Sequence, residues 1–236
     1  MICIPVTGKT TAEAAISMSQ AFSLSDAVEL RIDGMQAPDL KRLLRSKKGK
    51  ILVTNRRSEE GGAFAESENH RCELLLEAIE LGADMIDVEL GTDKAILKKI
   101  VDTIKEKGER TELIISFHDF GGTPGTRRLR SIFEEARAEG AHIVKIVTMA
   151  RNLQDNLKIL DLLQWAENSH RKIIGFCMGD KGKISRIAAP LFGSCITYAA
   201  LDNERATAPG QLTVQEAKMI YRILIGDGYT FPRGEM

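Results

Sequence analysis

Short apolar runs alternate with longer amphipathic segments along almost the whole chain. Runs with strand-like composition are predicted to begin near Ile2, Ala27, Ile51, Met85, Glu112, Ile143, Ile173 and Ile196. Segments with apolar residues at helical spacing lie between or after them, at 71–81, 94–107, 129–139, 153–167 and 214–225. Two pairs, Thr10 with Glu13 and Thr213 with Glu216, have the spacing of capping boxes that open helices.

Eight strand–helix units, repeating at roughly 23 to 34 residues, predict a (β/α)8 TIM barrel of the α/β class. No linker or change of composition divides the chain, so a single domain is expected over residues 1–236. An open, doubly wound sheet is the alternative, because alternation alone does not show that a sheet closes. The dinucleotide-binding version of that sheet is not favoured, since no GxGxxG follows the first strand.

Charged residues share one face of two predicted strands. In the run 27–33, Glu29, Arg31 and Asp33 alternate with apolar residues, and in the run 85–90, Asp87 and Glu89 do the same. Parallel sheets built from βα units are covered on both faces, so these side chains should point into an enclosed space. The pattern predicts a functional site inside the barrel.

Lys145 lies in the middle of the apolar run 142–149. A lysine there must be desolvated, paired or used in chemistry. Burial can lower a lysine pKa by several units, which would leave a neutral amine able to attack a carbonyl and form a Schiff base. The alternative is a lysine at the mouth of the strand that reaches water or a carboxylate.

His118 ends the fifth predicted strand and is the candidate general acid and base, because an imidazole titrates near neutrality. The alternative is a histidine that caps the strand through a backbone carbonyl. Adjacent strands lie roughly 4.8 Å apart, so His118 and Lys145 could act on one small substrate. The remaining histidines, His70, His142 and His170, are expected at the surface.

Loops after three other strands carry further candidates. Arg56 has the parity of an inward-facing residue, and Glu60 could fold back to orient His118, although loop glutamates are usually exposed. Arg186, with Thr207 and Gln211, follows the last two strands, where many barrels hold an anionic group. We expect the nearby Lys181 and Lys183 to be solvated.

The 236 residues contain 33 Lys plus Arg and 33 Asp plus Glu, so the formal net charge is zero. Neither nucleic acid nor an anionic membrane is favoured as a partner, and a small molecule is expected. The chain has no apolar stretch of 18 residues and no basic leader before its first strand. Its four cysteines lack CxxC spacing, so we expect reduced thiols in the cytoplasm and no metal site.

Six ordered segments closely resemble the type I 3-dehydroquinate dehydratase family. They are Glu29-Leu30-Arg31, the loop 56–62, Phe117-His118-Asp119-Phe120 with Thr123-Pro124, Val144-Lys145-Ile146, Ile184-Ser185-Arg186, and Ala208-Pro209-Gly210-Gln211. The resemblance covers nearly the whole chain. It implies a (β/α)8 barrel that dehydrates 3-dehydroquinate to 3-dehydroshikimate in the shikimate pathway, without a metal or organic cofactor, and it is compatible with a homodimer.

The resemblance also implies roles for ten residues. Lys145 would form the Schiff base, His118 would be the general acid and base, and Glu60 would orient the imidazole. The substrate-binding residues would be Glu29, Arg31 and Arg56 at the ring hydroxyls, Met178 at the ring, and Arg186, Thr207 and Gln211 around the carboxylate. Two positions depart from the family pattern, since Thr207 and Pro5 stand where serine is usual.

Two other functions are compatible with the same residues. A class I aldolase also needs a strand lysine and a proton shuttle, but it would split the carbon skeleton. A barrel without catalytic activity could serve as a binding scaffold, which the joint presence of Lys145 and His118 argues against. The segment 202–211 would be a natural lid if it is mobile. Apolar residues on the outer helices could pack within one chain or between two.

Overall fold

In the computed structural model, residues 1–226 are described, and strands alternate with helices throughout. The strands are β1 (Ile2–Val6), β2 (Ala27–Arg31), β3 (Lys50–Thr54), β4 (Met85–Glu89), β5 (Glu112–Asp119), β6 (Ile143–Met149), β7 (Ile173–Met178) and β8 (Thr197–Tyr198). The helices are α1 (Thr11–Phe22), α2 (Leu40–Arg45), α3 (Glu68–Glu80), α4 (Lys94–Glu106), α5 (Thr126–Ala138), α6 (Asp155–Glu167), α7 (Lys183–Ala188) and α8 (Val214–Ile225).

The strands form one parallel sheet whose spatial order follows the chain, with β1 paired to both β2 and β8. The ring is completed beside β7, where the backbone N–H of Cys195 donates to the carbonyl of Ile173 at 2.9 Å. A doubly wound sheet would reverse its strand order at the middle. The sequential order and the β1–β8 pairing therefore confirm the predicted (β/α)8 barrel.

The observed elements begin close to their predicted positions. Six strands begin where the sequence pattern placed them, whereas β3 begins at Lys50 and β8 at Thr197. Helix α3 begins earlier than predicted, at Glu68, because the Ser67 hydroxyl accepts the backbone N–H of His70. Local capping by a side chain thus extended this helix beyond the apolar repeat that revealed it.

The two expected capping boxes differ in outcome. At α8 the box is complete, because Thr213 and Glu216 each accept the other's backbone N–H. At α1 the Thr10 hydroxyl accepts from the backbone of Glu13, but the Glu13 carboxylate accepts the N–H of Lys9 rather than that of Thr10. The predicted capping box of Thr10 and Glu13 was therefore wrong in one bond, the one from the backbone N–H of Thr10 to the Glu13 carboxylate. Helix α1 nevertheless begins where it was expected.

The barrel interior is apolar towards the amino ends of the strands and charged towards their carboxyl ends. Residues nearer the amino ends of the strands, such as Cys3, Leu52, Met85 and Ile114, pack together into a buried cluster. A separate and larger apolar core lies between the strands and the surrounding helices. The polar side chains therefore gather near the carboxyl ends of the strands, where the site lies. Within residues 1–226 no helix is both long and apolar enough to cross a membrane.

Candidate active site

A cavity of about 260 Å³ lies among the carboxyl ends of the strands. The ten side chains that the sequence pattern and resemblance assigned to the site all line it: Glu29, Arg31, Arg56, Glu60, His118, Lys145, Met178, Arg186, Thr207 and Gln211. Two nearby basic residues point elsewhere, since Lys181 donates to the carbonyl of Arg151 and Lys183 pairs with Asp180. The barrel thus brings these ten residues to one space, whereas Asp33, Asp87 and Glu89, also expected to point inward, do not line the cavity.

Lys145 is buried in β6, with only 4% of its surface exposed. Its Nζ donates to Oδ2 of Asp87 at 2.8 Å and lies 3.6 Å from Oε1 of Glu29. The face of the Tyr198 ring lies on another side, with its centroid 4.7 Å from Nζ. The burial agrees with the sequence pattern, but the surroundings are ionic rather than apolar, because carboxylates from two other strands reach the amine.

Asp87 links Lys145 to Arg56. Its Oδ2 also lies 2.7 Å from Nη2 of Arg56, and its Oδ1 accepts the hydroxyl of Ser116 at 2.6 Å. Burial opposes ionisation of Asp87, but the charges of Arg56 and Lys145 outweigh it and hold the pKa of Asp87 well below its usual range. Arg56 also donates to Glu89 at 2.8 Å. We call Glu29, Arg56, Asp87, Glu89 and Lys145 the ionic cluster.

His118 lies near the end of β5 and faces Glu60. Oε2 of Glu60 accepts the backbone N–H of His118 at 3.0 Å and lies within hydrogen-bonding distance, 2.8 Å, of the ring Nδ1. Burial, together with the charges of Arg56 and Lys145, lowers the pKa of His118 well below its usual range. A neutral ring that donates from Nδ1 leaves Nε2 as an unprotonated base.

The carboxyl group of Glu60 is itself perturbed. Burial, reinforced by the charge of Glu89, raises the pKa of Glu60 to about 7. The imidazole and the carboxyl therefore do not form a permanent ion pair near neutrality. Glu60 instead changes between its neutral and its charged form near pH 7. The charged form can accept a proton from Nδ1 of His118, which leaves Nε2 unprotonated.

A tight turn brings Glu60 to this position. The residues Ser58–Glu60 form a single 3₁₀ turn directly after Arg57. The backbone N–H of Gly62 then donates to the carbonyl of Arg57 at 2.8 Å, and a Cβ on Gly62 would collide with the carbonyl of Arg56. Glycine is required at position 62 because the chain returns so closely on itself.

Arg186, on α7, has a different environment. It is 4% exposed, and its guanidinium lies over the Phe176 ring at 4.4 Å from the centroid. Nη2 donates to the carbonyl of Pro209 at 3.3 Å, Nε has no hydrogen-bond partner, and no carboxylate within residues 1–226 lies within ion-pair distance. Burial lowers its pKa to about 10, so the group still carries its charge near neutrality. It can therefore receive an anion from the cavity.

The segment 202–211 closes this side of the cavity. Oε1 of Gln211 accepts the backbone N–H of Thr207 at 2.9 Å and lies 3.3 Å from its hydroxyl. The carbonyl of Pro209 accepts from Arg186 and also from the backbone N–H of Gly179 at 3.2 Å. These bonds hold the segment beside the loop after β7, and its movement as a lid stays a prediction.

Three further predicted residues also border the cavity. Arg31 donates to Asp33 through two bonds of 2.7 and 2.9 Å. Oε1 of Glu29 accepts the hydroxyl of Thr54 at 2.8 Å, and Met178 is buried at the end of β7. Part of the hydrogen-bonding capacity of Arg31 is therefore already used within the protein.

Some residues of the site were not assigned a role from the sequence. Asp87 and Glu89 were recognised as inward-facing through their alternation, but nothing in the pattern indicated which cations they contact. Ser116, Phe176 and Tyr198 carried no signal, because each lies in an ordinary apolar strand. Their position beside the charged residues depends on the stagger of neighbouring strands.

Other polar candidates lie away from the cavity. His142, expected at the surface, is half-buried, and its Nδ1 accepts the backbone N–H of Leu113 at 2.8 Å. Pro5 is buried in β1 and does not line the cavity, so the structure gives no contact that replaces the usual serine. In the described part of the chain, no group of three or more His, Cys, Asp and Glu side chains is arranged to hold a metal ion.

Curated proteins that are similar to this chain include several 3-dehydroquinate dehydratases. A 3-dehydroquinate dehydratase from Pyrococcus abyssi is 40% identical over 206 residues, which cover 87% of this chain and 90% of the relative. Another from Methanococcus maripaludis is 37% identical over 224 residues, covering 95% of this chain and all of the relative.

Solved structures give the same result. The type I 3-dehydroquinate dehydratase of Clostridium difficile superimposes with a TM-score of 0.84 at 28% identity, over 94% of this chain and 91% of that one. The 3-dehydroquinate dehydratase of Geobacillus kaustophilus also gives a TM-score of 0.84 at 28% identity, over 97% and 92% of the two chains. The model of the type I 3-dehydroquinase family matches residues 2–227. This chain therefore belongs to the type I 3-dehydroquinase family of lyases.

Proposed function

We propose that this chain converts 3-dehydroquinate into 3-dehydroshikimate, in the shikimate pathway, through an imine formed by Lys145. The observation that carries this proposal is that one cavity holds a buried lysine together with an imidazole whose pKa is lowered. The lysine must attack the ketone as a nucleophile to form an iminium, which is the electron sink of the reaction. The proton transfer that follows needs a neutral base.

The first step joins Lys145 to the ring ketone. The ammonium gives up its proton to Nε2 of His118, and the free amine attacks the carbonyl carbon. A proton that passes from the nitrogen to the ketone oxygen then completes the hydroxyl of a carbinolamine. That hydroxyl leaves as water with a proton donated by His118, and the nitrogen retains a positive charge as an iminium. Asp87 and Glu29 offset this charge within the ionic cluster.

The second step removes water from the substrate skeleton. The iminium acidifies the neighbouring carbon, so Nε2 of His118 removes a proton and an enamine forms. The β-hydroxyl then leaves with the proton that His118 returns, which gives a conjugated iminium. Hydrolysis of this iminium frees the product and regenerates the lysine. The net change is the loss of one water molecule.

Binding is assigned to the other residues of the cavity. Arg186 holds the substrate carboxylate, because it is a buried cation with free donors and no carboxylate of its own among the described residues. Gln211 and Thr207 add neutral hydrogen bonds, Glu29, Arg31 and Arg56 bind ring hydroxyls, and Met178 packs against the ring. Glu60 orients the imidazole. The Clostridium difficile relative was solved with covalently modified comenic acid, which supports a covalent route in this family.

The wider setting is also proposed. We expect one catalytic domain over the whole chain, without a cofactor, acting in the cytoplasm, where Cys3, Cys72 and the other two free thiols stay reduced. We also expect a homodimer, for which Met219 and Ile223 of α8 are candidate contacts, since they are exposed one turn apart and a contiguous exposed apolar patch marks an association surface. Sedimentation velocity would measure the dimer directly.

The mechanism is tested by trapping. Sodium borohydride added with 3-dehydroquinate should fix substrate mass to a peptide containing Lys145, and Lys145→Ala should trap nothing and turn over at background rate. Lys181→Ala is the matched control, because this exposed lysine lies near the same mouth but does not line the cavity. Labelling at any other lysine would reject the assignment.

The outcome of the reaction separates dehydration from aldol cleavage. Dehydration conserves the carbon skeleton and yields a conjugated enone, so absorbance in the ultraviolet should rise with 3-dehydroquinate. An aldolase would release two fragments instead. Failure to bind or to turn over the substrate would support the scaffold alternative.

A further inference from the structure

Arg71 is a buried arginine on α3, outside the cavity. Only 1% of it is exposed, and it donates to both carboxylate oxygens of Glu68 at 2.8 and 2.9 Å. Its Nη1 also donates to the carbonyl of Asn55, and its Nη2 to the hydroxyl of Thr92. Since Arg71 does not line the cavity, substrate binding does not explain why a guanidinium is buried here.

A continuous series of ion pairs leads from Arg71 to the catalytic lysine proposed above. Nη1 of Arg71 lies 2.7 Å from Oε2 of Glu89, an ion-pair contact without hydrogen-bond geometry, and the other oxygen of Glu89 accepts from Arg56 at 2.8 Å. Arg56 contacts Asp87 at 2.7 Å, and Asp87 accepts from Lys145 at 2.8 Å. Each link is within direct contact distance and buried, so a charge at one end is felt at the other.

Among the buried groups of this series, the charges balance only when Arg71 is included. The ionic cluster contains three carboxylates (Glu29, Asp87 and Glu89) and two cations (Arg56 and Lys145). Arg71 is the third cation, and its other partner, Glu68, has a side chain that is 33% exposed and therefore screened by water.

Glu60, on the turn after β3, has a pKa raised to about 7 and adds a negative charge beside the cluster above that pH, but it does so whether or not Arg71 is present. The other groups near Lys145 do not alter the balance. His118 on β5 is neutral because its pKa is lowered, and Tyr198 on β8 presents the face of its ring. The contacts of Arg186, with the Phe176 ring and the carbonyl of Pro209, do not involve the ionic cluster, and the substrate carboxylate would neutralise its charge.

We propose that Arg71 is a positioning residue for imine formation: through Glu89 and Arg56 it holds Asp87 against Lys145, and it supplies a positive charge that favours loss of a proton from the lysine. This inference rests on the Lys145 imine proposed above. When Lys145 loses its proton, the cluster with Arg71 gains one excess negative charge. Without Arg71 that excess would be two, and deprotonation would be correspondingly harder.

The experiment measures how imine formation depends on pH. The initial rate of covalent labelling by 3-dehydroquinate and cyanoborohydride is followed by mass spectrometry in the parent protein, Arg71→Met, Glu89→Gln and the double variant. Arg71→Met should move the midpoint upward by about one pH unit, as expected of one buried charge acting over several ångströms. Glu89→Gln removes a negative charge and should move it downward, and the double variant should return near the parent.

Further readouts separate this role from a purely structural one. Because Arg71 lies outside the cavity, Arg71→Met should lower kcat at neutral pH with little change in KM, and Arg71→Lys should restore much of the pH profile. Arg128→Met is the control, since this exposed arginine pairs only at the surface with Glu135 and Ser131 and should leave the midpoint unchanged. Loss of rate at every pH with an unmoved midpoint would overturn the proposal.

The outcomes remain distinct if Arg71→Met does not fold. The midpoint of Glu89→Gln is then compared with that of the double variant, and equal midpoints would show that the charge of Arg71 has no influence. A parent protein that forms no trappable adduct would instead reject the lysine mechanism itself.

Discussion

Two sides of the cavity hold buried cations in opposite electrostatic settings. On one side, Lys145 and Arg56 each contact carboxylates of the ionic cluster. On the other side, Arg186 is equally buried, yet it contacts a ring face and a backbone carbonyl and, within residues 1–226, no carboxylate. A cation compensated by the protein is part of the folded framework, whereas a cation left without a counter-ion is available to a ligand. The proposed site for the substrate carboxylate is thus separate from the ionic cluster.

The largest expected effect concerns stability. Arg56→Met should destabilise the protein by about 3–5 kcal/mol, because Asp87 and Glu89 lose a buried partner. Arg186→Met has the same change of side chain but removes a cation without a carboxylate, so it should change the free energy of unfolding by less than about 1 kcal/mol or stabilise the protein. Urea denaturation of both variants measures the difference, and equal losses would contradict the comparison.

The next effect concerns turnover on the ionic side. His118→Ala should lower kcat by roughly 10²-fold or more, the usual contribution of a general acid and base. Imine trapping at Lys145 should continue, because the amine and its carboxylate partners are retained. Single-turnover kinetics with borohydride quenching measures both quantities. Unchanged turnover would remove His118 from the mechanism.

Binding on the Arg186 side should respond differently. Arg186→Met should raise KM by roughly 10- to 100-fold, the loss expected for hydrogen bonds to a charged group. The maximal rate should change much less than in His118→Ala. Steady-state kinetics over a wide range of substrate concentration gives both parameters, and a normal KM would argue against the carboxylate role.

The smallest effect is a change in pH dependence. Burial and Glu89 raise the pKa of Glu60 to about 7. As the pH rises through this value, the carboxyl ionises and can accept the Nδ1 proton of His118, so kcat/KM should increase with a midpoint near 7. Below it, this acceptor is lost. In Glu60→Gln the midpoint near 7 should disappear, with a smaller loss of rate than in His118→Ala. A parent-like profile in that variant would assign the titration to another group.

The fold could be predicted because a barrel of this kind repeats one local pattern. Apolar runs mark the strands, and alternation along β2 and β4 assigns Glu29 and Asp87 to the inside. The position of Lys145 within an apolar run then indicates a site, and the resemblance to a family supplied the roles of residues such as Met178 and Gln211. These signals are local, or depend on order along the chain, so a sequence can display them.

The contacts between strands could not be predicted in the same way. The sequence does not reveal that Asp87 reaches Lys145, because 58 residues separate them and their approach depends on the stagger of β4, β5 and β6. Arg71 illustrates the same limit, since a basic residue on an amphipathic helix is normally solvated. Its contact with the carbonyl of Asn55, directly after β3, is seen only in the folded chain.

The ion pairs that join β3, β4 and β6 have a consequence for how the chain finds its register. If one strand slipped by two residues, its apolar and polar faces would keep their orientation, and the hydrophobic pattern would tolerate the error. Every charge on that strand would nevertheless move by about 6.6 Å, far beyond contact with its partner. Barrels with such a register shift would keep their apolar contacts but would contain buried, unpaired charges, which destabilises them. The residues proposed for the reaction would thus also favour the correct register of the sheet.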